Sequence, residues 1–380
     1  MRSSLSIRHP GWLYLGFTLT GTGTALLGCI LPALSAAWHL SDEQAGLILA
    51  AQFSGSASGA LLVGRNFSSA VMRGYSLLTA SSIAIAFFPQ LPRLLAFFAF
   101  GVGLGLSMTA TSMLIGSRYV GKRASTLSLL NAFWTIGAAL APQIAYFWVR
   151  RWQPTSLFVA IALAVLLTLG LTGPSRLESA EIAETMNPAH AHRGNTKLTL
   201  LFVGLGFLYV GVESSIGSWL MTYVHRLPIA NQAWAPVATS VFWIGILCGR
   251  LLAPAVLLRV SEARLLGVCL GIALASTTLL LLAQTPVAIT LTVATAGCGL
   301  GPIFPLLLAK ALAALNDSPR AKWVFAMSGL GGAALPWIIG ALSAHKDSLR
   351  VGLAVPVIAL VGMMLLNSQT EPDGDHLPPE

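Results

Sequence analysis

Charged side chains are scarce in this chain of 380 residues, because Asp, Glu, Lys and Arg together make up only 9% of it. Soluble domains carry about 25% charged residues, so this sequence cannot coat a water-facing surface of ordinary size. Hydrophobic residues make up 55% of the chain, and its mean hydropathy is +0.77. The shortage of charge excludes an ordinary soluble domain and indicates an integral membrane protein.

Cysteine is also scarce, and the four cysteines show no C-x-x-C spacing and no nearby histidine. They fall inside apolar runs, which is typical of small core residues rather than of disulfides or metal ligands. Two loop histidines, His190 and His192, are too few for a metal site. We therefore predict no metal and no cofactor beyond a coupling ion, which we expect to be a proton, with sodium as the alternative.

The net charge of +9 comes from basic residues that stand singly between apolar runs. A nucleic-acid-binding protein needs a basic stripe or patch on a polar fold, and this sequence has none. The expected partners are a small-molecule substrate and the lipid bilayer, and we expect the chain to act as a monomer.

Apolar runs of the length needed to cross a bilayer, roughly 20 residues, recur along the whole chain. They predict an all-α integral membrane protein with twelve transmembrane helices, at 11–33, 43–64, 70–89, 92–117, 124–148, 155–173, 198–224, 234–258, 264–284, 286–312, 323–344 and 350–367. The predicted organisation is two pseudo-symmetric six-helix bundles at 1–174 and 198–368, a cytoplasmic central loop at 175–197 and a cytoplasmic polar tail at 369–380.

The distribution of the 22 Lys and Arg residues predicts the orientation of these helices. Basic residues concentrate on the cytoplasmic side of membrane proteins. If both termini are cytoplasmic, most of the basic residues fall on that side. The predicted location is therefore the cell membrane, with many passes and both termini in the cytoplasm.

Three short patterns recur in the two halves of the chain. They are the glycine triplets at 101–105 and 297–301, the Gly-Ala-Ala-Leu strings at 137–140 and 332–335, and the Gly-Arg pairs at 64–65 and 249–250. The triplets predict close helix packing, since small residues let helix backbones approach in lipid. Membrane proteins built from two similar halves usually place a substrate site between them near the midplane, which predicts a solute transporter.

Only one of the 13 acidic residues, Glu213, lies deep inside a predicted span, about 22 Å along the seventh helix. An ionised carboxylate at that depth costs several kcal/mol unless it is paired or solvated, so it is a functional candidate. We predict that Glu213 serves ion coupling or contacts the substrate. The alternative is a structural role in which it hydrogen-bonds neighbouring helices.

Amide and aromatic side chains at mid-span depth are the other candidates for a substrate site. Amides can hold hydroxyl groups, and aromatic rings can cover the apolar faces of a ring-shaped solute. Tyr209 is four residues before Glu213, so the two share a helix face. The predicted substrate-binding residues are Gln52, Asn131, Trp134, Tyr209, Trp243 and Trp337.

Several strings in the sequence resemble the major facilitator superfamily and, within it, its fucose permease-like (fucose–galactose–proton symporter) branch. The most specific are Tyr-Val-Gly-Val-Glu at 209–213 and Gly-Pro-Ile-Phe-Pro at 301–305. The resemblance implies a carrier of sugars or related small solutes that works by alternating access and is often proton- or sodium-coupled. It also implies gating roles for the basic residues of the second-to-third and eighth-to-ninth turns, namely Arg65, Arg73, Arg250 and Arg259.

The sequence thus predicts a secondary transporter for a small organic solute and no enzyme, since one carboxylate without histidine or cysteine partners is too few for a catalytic site. Two alternatives stay open. One is an exporter of amphipathic or cationic compounds on the same scaffold. The other is a solute sensor that binds without transport.

Overall fold

The computed structural model describes residues 11–64, 66–88, 92–119, 123–172, 196–228, 233–315 and 321–369. The regular elements of these residues are helices. They are α1 (Gly11–Trp38), α2 (Asp42–Leu61), α3 (Phe67–Phe87), α4 (Arg93–Arg118), α5 (Arg123–Val149), a short 3-10 turn (Pro154–Ser156), α6 (Leu157–Thr172), α7 (Thr196–Arg226), α8 (Trp234–Leu257), α9 (Glu262–Leu282), α10 (Pro286–Leu315), α11 (Ala321–Lys346), α12 (Leu349–Gly352) and α13 (Ala354–Ser368).

These helices match the twelve predicted spans one for one, with α12 and α13 together forming the last. Among the described residues, ten helices are long and apolar enough to cross a membrane. The segment Pro154–Gly170 is apolar but shorter. The helix α2 is less apolar, because it begins with Asp42 and Glu43 and also contains Gln52. The all-α membrane fold predicted from the sequence is confirmed.

The two halves of the chain pack in the same way. In the first half, α1 contacts α5, α2 contacts α4, and α3 contacts α4 and α6. In the second half, α7 contacts α11, α8 contacts α10, and α9 contacts α10 and α13. The halves meet where α2 contacts α11, α5 contacts α8, and α1 contacts α7. The repeated sequence patterns thus correspond to a repeated helix arrangement.

The glycine triplets lie in equivalent packing faces of α4 and α10. A Cβ added at Gly101 would lie 1.9 Å from the backbone oxygen of Gln52, and one at Gly297 would lie 2.2 Å from that of Phe242. No side chain fits at either point, so glycine is required for the close approach of α4 to α2 and of α10 to α8. These contacts hold α2 and α8, which carry predicted site residues.

Two of the predicted segments fall largely outside the described residues. The predicted central loop at 175–197 lies outside them except for residues 196 and 197, which begin α7. The predicted tail at 369–380 lies outside them after residue 369.

We name the two ends of the bundle by the turns found there. The α1–α2 end is where α1 finishes and α2 begins, and the α2–α3 end is the opposite one.

Candidate functional site

Glu213 and Arg250 form an ion pair inside the helix bundle. Glu213 lies on α7 and is 9% exposed, and Arg250 lies well inside α8 with a side chain that is 16% exposed. Arg250 Nη2 donates to Glu213 Oε1 at 3.4 Å. Each charge therefore has a compensating partner, which buried ions require. The predicted burial of Glu213 is confirmed, and its partner comes from the next helix.

Arg250, which the resemblance placed among the gating loops, lies inside a helix, and its gating role stays a prediction. The helix α8 continues to Leu257, two turns beyond Arg250. The Arg250 guanidinium group stays in the protein interior, because Glu213 binds it there. The sequence signal that could have indicated this pair is that Arg250 lies inside the predicted span at 234–258, in the same half as Glu213.

Arg250 also joins the two halves of the molecule. Its Nη1 donates to Thr135 Oγ1 at 3.0 Å, and Thr135 lies on α5 of the first half. The Thr135 hydroxyl in turn donates to the backbone oxygen of Asn131 at 2.8 Å. Thr135 is fully buried, so this contact between halves is shielded from solvent. Sequence analysis did not identify Thr135, because nothing distinguishes it from the other threonines in the spans.

Tyr209 lies beside the ion pair, as its spacing from Glu213 predicted. It is buried, and it is close enough to interact with both Glu213 and Arg250. Its hydroxyl donates to the backbone oxygen of Leu300 on α10 at 3.1 Å, and its ring stacks on Phe304 with centroids 5.5 Å apart. Tyr209 is therefore held by α10 at a fixed position next to the charges.

Trp134 and Trp243 contact each other across the interface between halves. Their ring centroids are 5.6 Å apart in an edge-to-face arrangement. Trp134 precedes Thr135 on α5, and Trp243 lies two turns before Arg250 on α8. The Trp243 ring packs against Gly217 of α7, where an added Cβ would lie 2.6 Å from it. The structure thus brings the two indoles together on the helices that carry Arg250 and its acceptor Thr135.

Both indoles have donors without acceptors in the described part of the chain. Trp134 Nε1 and Trp243 Nε1 are buried and meet no hydrogen-bond partner there, and the same is true of Arg250 Nε. A buried polar group without a partner is unfavourable, so such groups mark places where a ligand or water can bind. The three donors favour a solute that bears hydrogen-bond acceptors.

Gln52 lies on α2 and is 1% exposed. Its Nε2 donates to the backbone oxygen of Thr24 at 3.1 Å, while its Oε1 has no partner among the described residues. Gln52 therefore keeps a free acceptor inside the first half.

The remaining predicted substrate-binding residues are Asn131 and Trp337. Asn131 is exposed one turn from Thr135, and its Nδ2 donates to the backbone oxygen of Leu127. Trp337 is 38% exposed on α11, and its role in substrate binding stays a prediction.

Of the other predicted gating residues, Arg73 and Arg259 lie near the α2–α3 end. Arg73 is exposed in the second turn of α3, and its Nε donates to the backbone oxygen of Ser69. Arg259 is exposed just after α8. Arg65 lies outside the described residues. Their gating roles stay predictions.

A second ion pair joins the two halves at the α1–α2 end. Arg226, the last residue of α7, donates to Asp42, the first residue of α2, through two contacts of 2.6 and 2.7 Å. Ser343 of α11 also donates to the Asp42 carboxylate. The pair borders a cavity of about 760 Å³ that Tyr223 also lines. Sequence analysis did not predict this pair, because its residues are far apart in the chain.

The family model described as Major Facilitator Superfamily matches residues 13–322, which is most of the chain. A Saccharomyces cerevisiae relative, bypass of stop codon protein 6, is 24% identical over 382 aligned positions, covering 86% of this chain and 75% of the relative. The niacin transporter NiaP of Acinetobacter baylyi is 32% identical over 144 positions, covering 35% of this chain and 32% of that protein.

Among solved structures, the E. coli fucose:proton symporter resembles this chain with a TM-score of 0.65 at 17% identity. The alignment covers 95% of this chain and 98% of the symporter. At this identity the likeness concerns the fold. Together with the long family match and the two similar halves that meet around buried polar groups, it leads to one conclusion: the chain belongs to the Major Facilitator Superfamily and is a membrane transporter, not an enzyme.

Proposed function

We propose that this protein is a proton-coupled secondary transporter that moves a small ring-bearing polar solute, a sugar or a related metabolite, by alternating access. The observation that carries the proposal is the buried contact of Arg250 with Glu213 of its own half and Thr135 of the other half. Rocking of one half against the other would change the partners of Arg250. Solute binding, proton binding and conformation would thus depend on the same guanidinium group.

The aromatic and amide groups around the pair favour a ring-shaped solute. The rings of Trp134 and Trp243 can cover apolar faces, and their unpartnered N–H groups can donate to solute oxygens. The comparisons also support a small ring-bearing solute, since one relative is named as a transporter of niacin and a solved neighbour is named as a symporter of fucose.

Proton coupling supplies the energy for accumulation in this proposal. One proton that moves down 100 mV is worth about 2.3 kcal/mol, enough for about fifty-fold accumulation of a neutral solute. Glu213 is the proton site that we propose, because it is the acid buried among the substrate-facing groups. Sodium is the alternative coupling ion.

The proposed orientation places both termini in the cytoplasm of a cell-membrane protein. The α1–α2 end then faces outside, and the Asp42–Arg226 pair holds that side closed. We accordingly infer an inward-facing or occluded arrangement, with the cavity at the α1–α2 end as an outer vestibule.

The cationic-compound exporter predicted as an alternative has less support. It presupposes a buried carboxylate that needs a cation from the solute, and Glu213 already has Arg250.

The test is solute-dependent pH change in proteoliposomes with a panel of sugars, polyols, organic acids and cationic drugs. We expect one solute class to carry protons with the wild type and not with Glu213→Gln. The matched control is Glu262→Gln, which makes the same change at an exposed position at the start of α9. Undiminished uphill uptake by Glu213→Gln would exclude this residue as the coupling site. Binding of a solute without flux would favour the sensor.

A further inference from the structure

Arg250 has more donor capacity than its present partners use. A guanidinium group has five N–H donors. The structure gives it one contact with Glu213 at 3.4 Å, one with Thr135 at 3.0 Å and an interaction with Tyr209, and its buried Nε meets no acceptor in the described residues. Guanidinium–carboxylate pairs are commonly bidentate, with distances of about 2.7–2.9 Å. The present pair is single and long, so Arg250 can accept a better-placed carboxylate.

The charges of the pair limit what can bind together with a proton. If Glu213 takes a proton, Arg250 becomes a buried cation without an anion, which is strongly unfavourable. The titratable neighbour that the structure places against the pair is Tyr209, which is a neutral phenol at ordinary pH. A neutral solute would leave the positive charge uncompensated. A solute that carries one negative charge would compensate it.

We propose that the transported solute carries a carboxylate, and that this carboxylate replaces Glu213 at Arg250 while Glu213 takes up one proton. The inference rests on the proposed function and narrows its substrate class. The Arg250–Glu213 pair gives way to an Arg250–solute pair and a neutral Glu213. One anion and one proton thus enter the site together, and the charge of the site stays the same.

The groups around Arg250 suit an anion of this kind. Trp134 and Trp243 contribute two further N–H donors that meet no acceptor within the described ranges, on the same helices as Thr135 and Arg250. A carboxylate bound at Arg250 can place an attached ring toward these indoles. The site would therefore distinguish a carboxylate from its amide or alcohol through charge, and ring-bearing acids from small ones through the indoles.

Thermal melting of the purified full chain tests the exchange at Arg250. The variants are Glu213→Gln, Arg250→Gln and the double variant, and the probes are acetate against acetamide and nicotinate against nicotinamide at millimolar concentration. We expect Glu213→Gln to melt below the double variant and the two carboxylates to raise its melting temperature. The double variant, which lacks the buried cation, should not respond.

Two results in the melting experiment would overturn the inference. One is equal stabilisation of Glu213→Gln by the amide and the carboxylate of a pair. The other is no stabilisation of Glu213→Gln by either carboxylate. The double variant keeps the test decisive where Arg250→Gln alone fails to fold, because it removes both charges together.

Transport measurements distinguish a failure of the carboxylate inference from a failure of the proposed function. In proteoliposomes, co-entry of one anion and one proton predicts uptake that follows the pH gradient and does not respond to a potassium-diffusion potential. Proton-coupled uptake of a neutral sugar that responds to that potential would overturn the carboxylate inference and leave the proposed function standing. Carboxylate uptake that needs Arg250 without proton movement would overturn the coupling and leave the carboxylate site.

Discussion

The two ion pairs of this molecule differ in geometry and in surroundings. Asp42 and Arg226 meet through two contacts of 2.6 and 2.7 Å, and the Arg226 side chain is 45% exposed. Glu213 and Arg250 meet through one contact of 3.4 Å, and their side chains are 11% and 16% exposed. The well-formed pair thus has one partner that water reaches, since Asp42 is only 12% exposed, and both partners of the poorly formed pair lie where charges are costly.

This difference indicates that the two ion pairs have separate functions. Because water and salt reach the Arg226 side chain, they weaken the Asp42–Arg226 attraction, so this pair can close the α1–α2 end and still open. A buried pair is costly to break unless another group takes the vacated place. The long contact of Glu213 with Arg250 suits an exchange of partners. Four variants test this comparison.

The largest expected effect is that of Arg250→Gln, which leaves Glu213 as a buried carboxylate without a cation. Removing one partner of a buried pair costs about 3–5 kcal/mol. We expect a marked fall in melting temperature, with much of it recovered by Glu213→Gln in the same chain. A fall for the double variant as large as that for the single one would mean that the charge pairing does not matter.

The next effect is that of Thr135→Val, which keeps the shape of the side chain and removes the acceptor of Arg250 from the first half. A hydrogen bond to a charged group contributes about 1.5–3 kcal/mol. We expect the rate of exchange between inward- and outward-facing states, followed by spin-label distances across the halves, to change while Glu213 stays paired. Thr278→Val, at an exposed hydroxyl on α9, is the control. Equal effects of the two variants would count against a link between halves.

Trp243→Phe tests whether the unpartnered indole belongs to the substrate site around the buried pair. It removes the N–H group and keeps most of the aromatic surface. Loss of one neutral hydrogen bond, about 0.5–1.5 kcal/mol, corresponds to roughly a 2- to 13-fold rise in KM. Trp152→Phe, at an exposed position, is the control. Unchanged transport kinetics would remove Trp243 from the predicted site.

The smallest effect is expected for Asp42→Asn, which weakens the exposed pair. Such pairs contribute about 0.2–1 kcal/mol. We expect a modest shift toward opening at the α1–α2 end, measured by thiol labelling of a cysteine placed at Tyr223 beside the cavity. High salt should produce a similar shift in the wild type, because it screens exposed charges. A fall in melting temperature as large as that of Arg250→Gln would contradict the proposed difference between the two pairs.

Much of the fold could be predicted from local sequence. The apolar runs gave the helices, since each run must bury its backbone hydrogen bonds within itself in lipid. Glycine spacing in α4 and α10 indicated close packing, which the approach to Gln52 and Phe242 confirms. The burial of Glu213 and its proximity to Tyr209 also followed from position along one helix.

The partners of these residues could not be predicted in the same way. Arg250 was named a gating residue through the resemblance, although the predicted span at 234–258 and α8 both continue beyond it. Thr135 looked like any other threonine in a span. Asp42 and Arg226 are far apart in the chain, and no local pattern links them.

The order of residues along the chain is enough to indicate that it spans a membrane many times, that it has two similar halves, and that Glu213 is buried in the second. These properties depend on hydropathy, helix length and repetition, which are readable along the chain. Only the tertiary structure decided that Arg250 reaches that acid, that Thr135 meets Arg250 from the other half, and that Trp134 lies against Trp243. Such contacts depend on how helices from the two halves rotate and approach, and that is set by packing across the whole bundle.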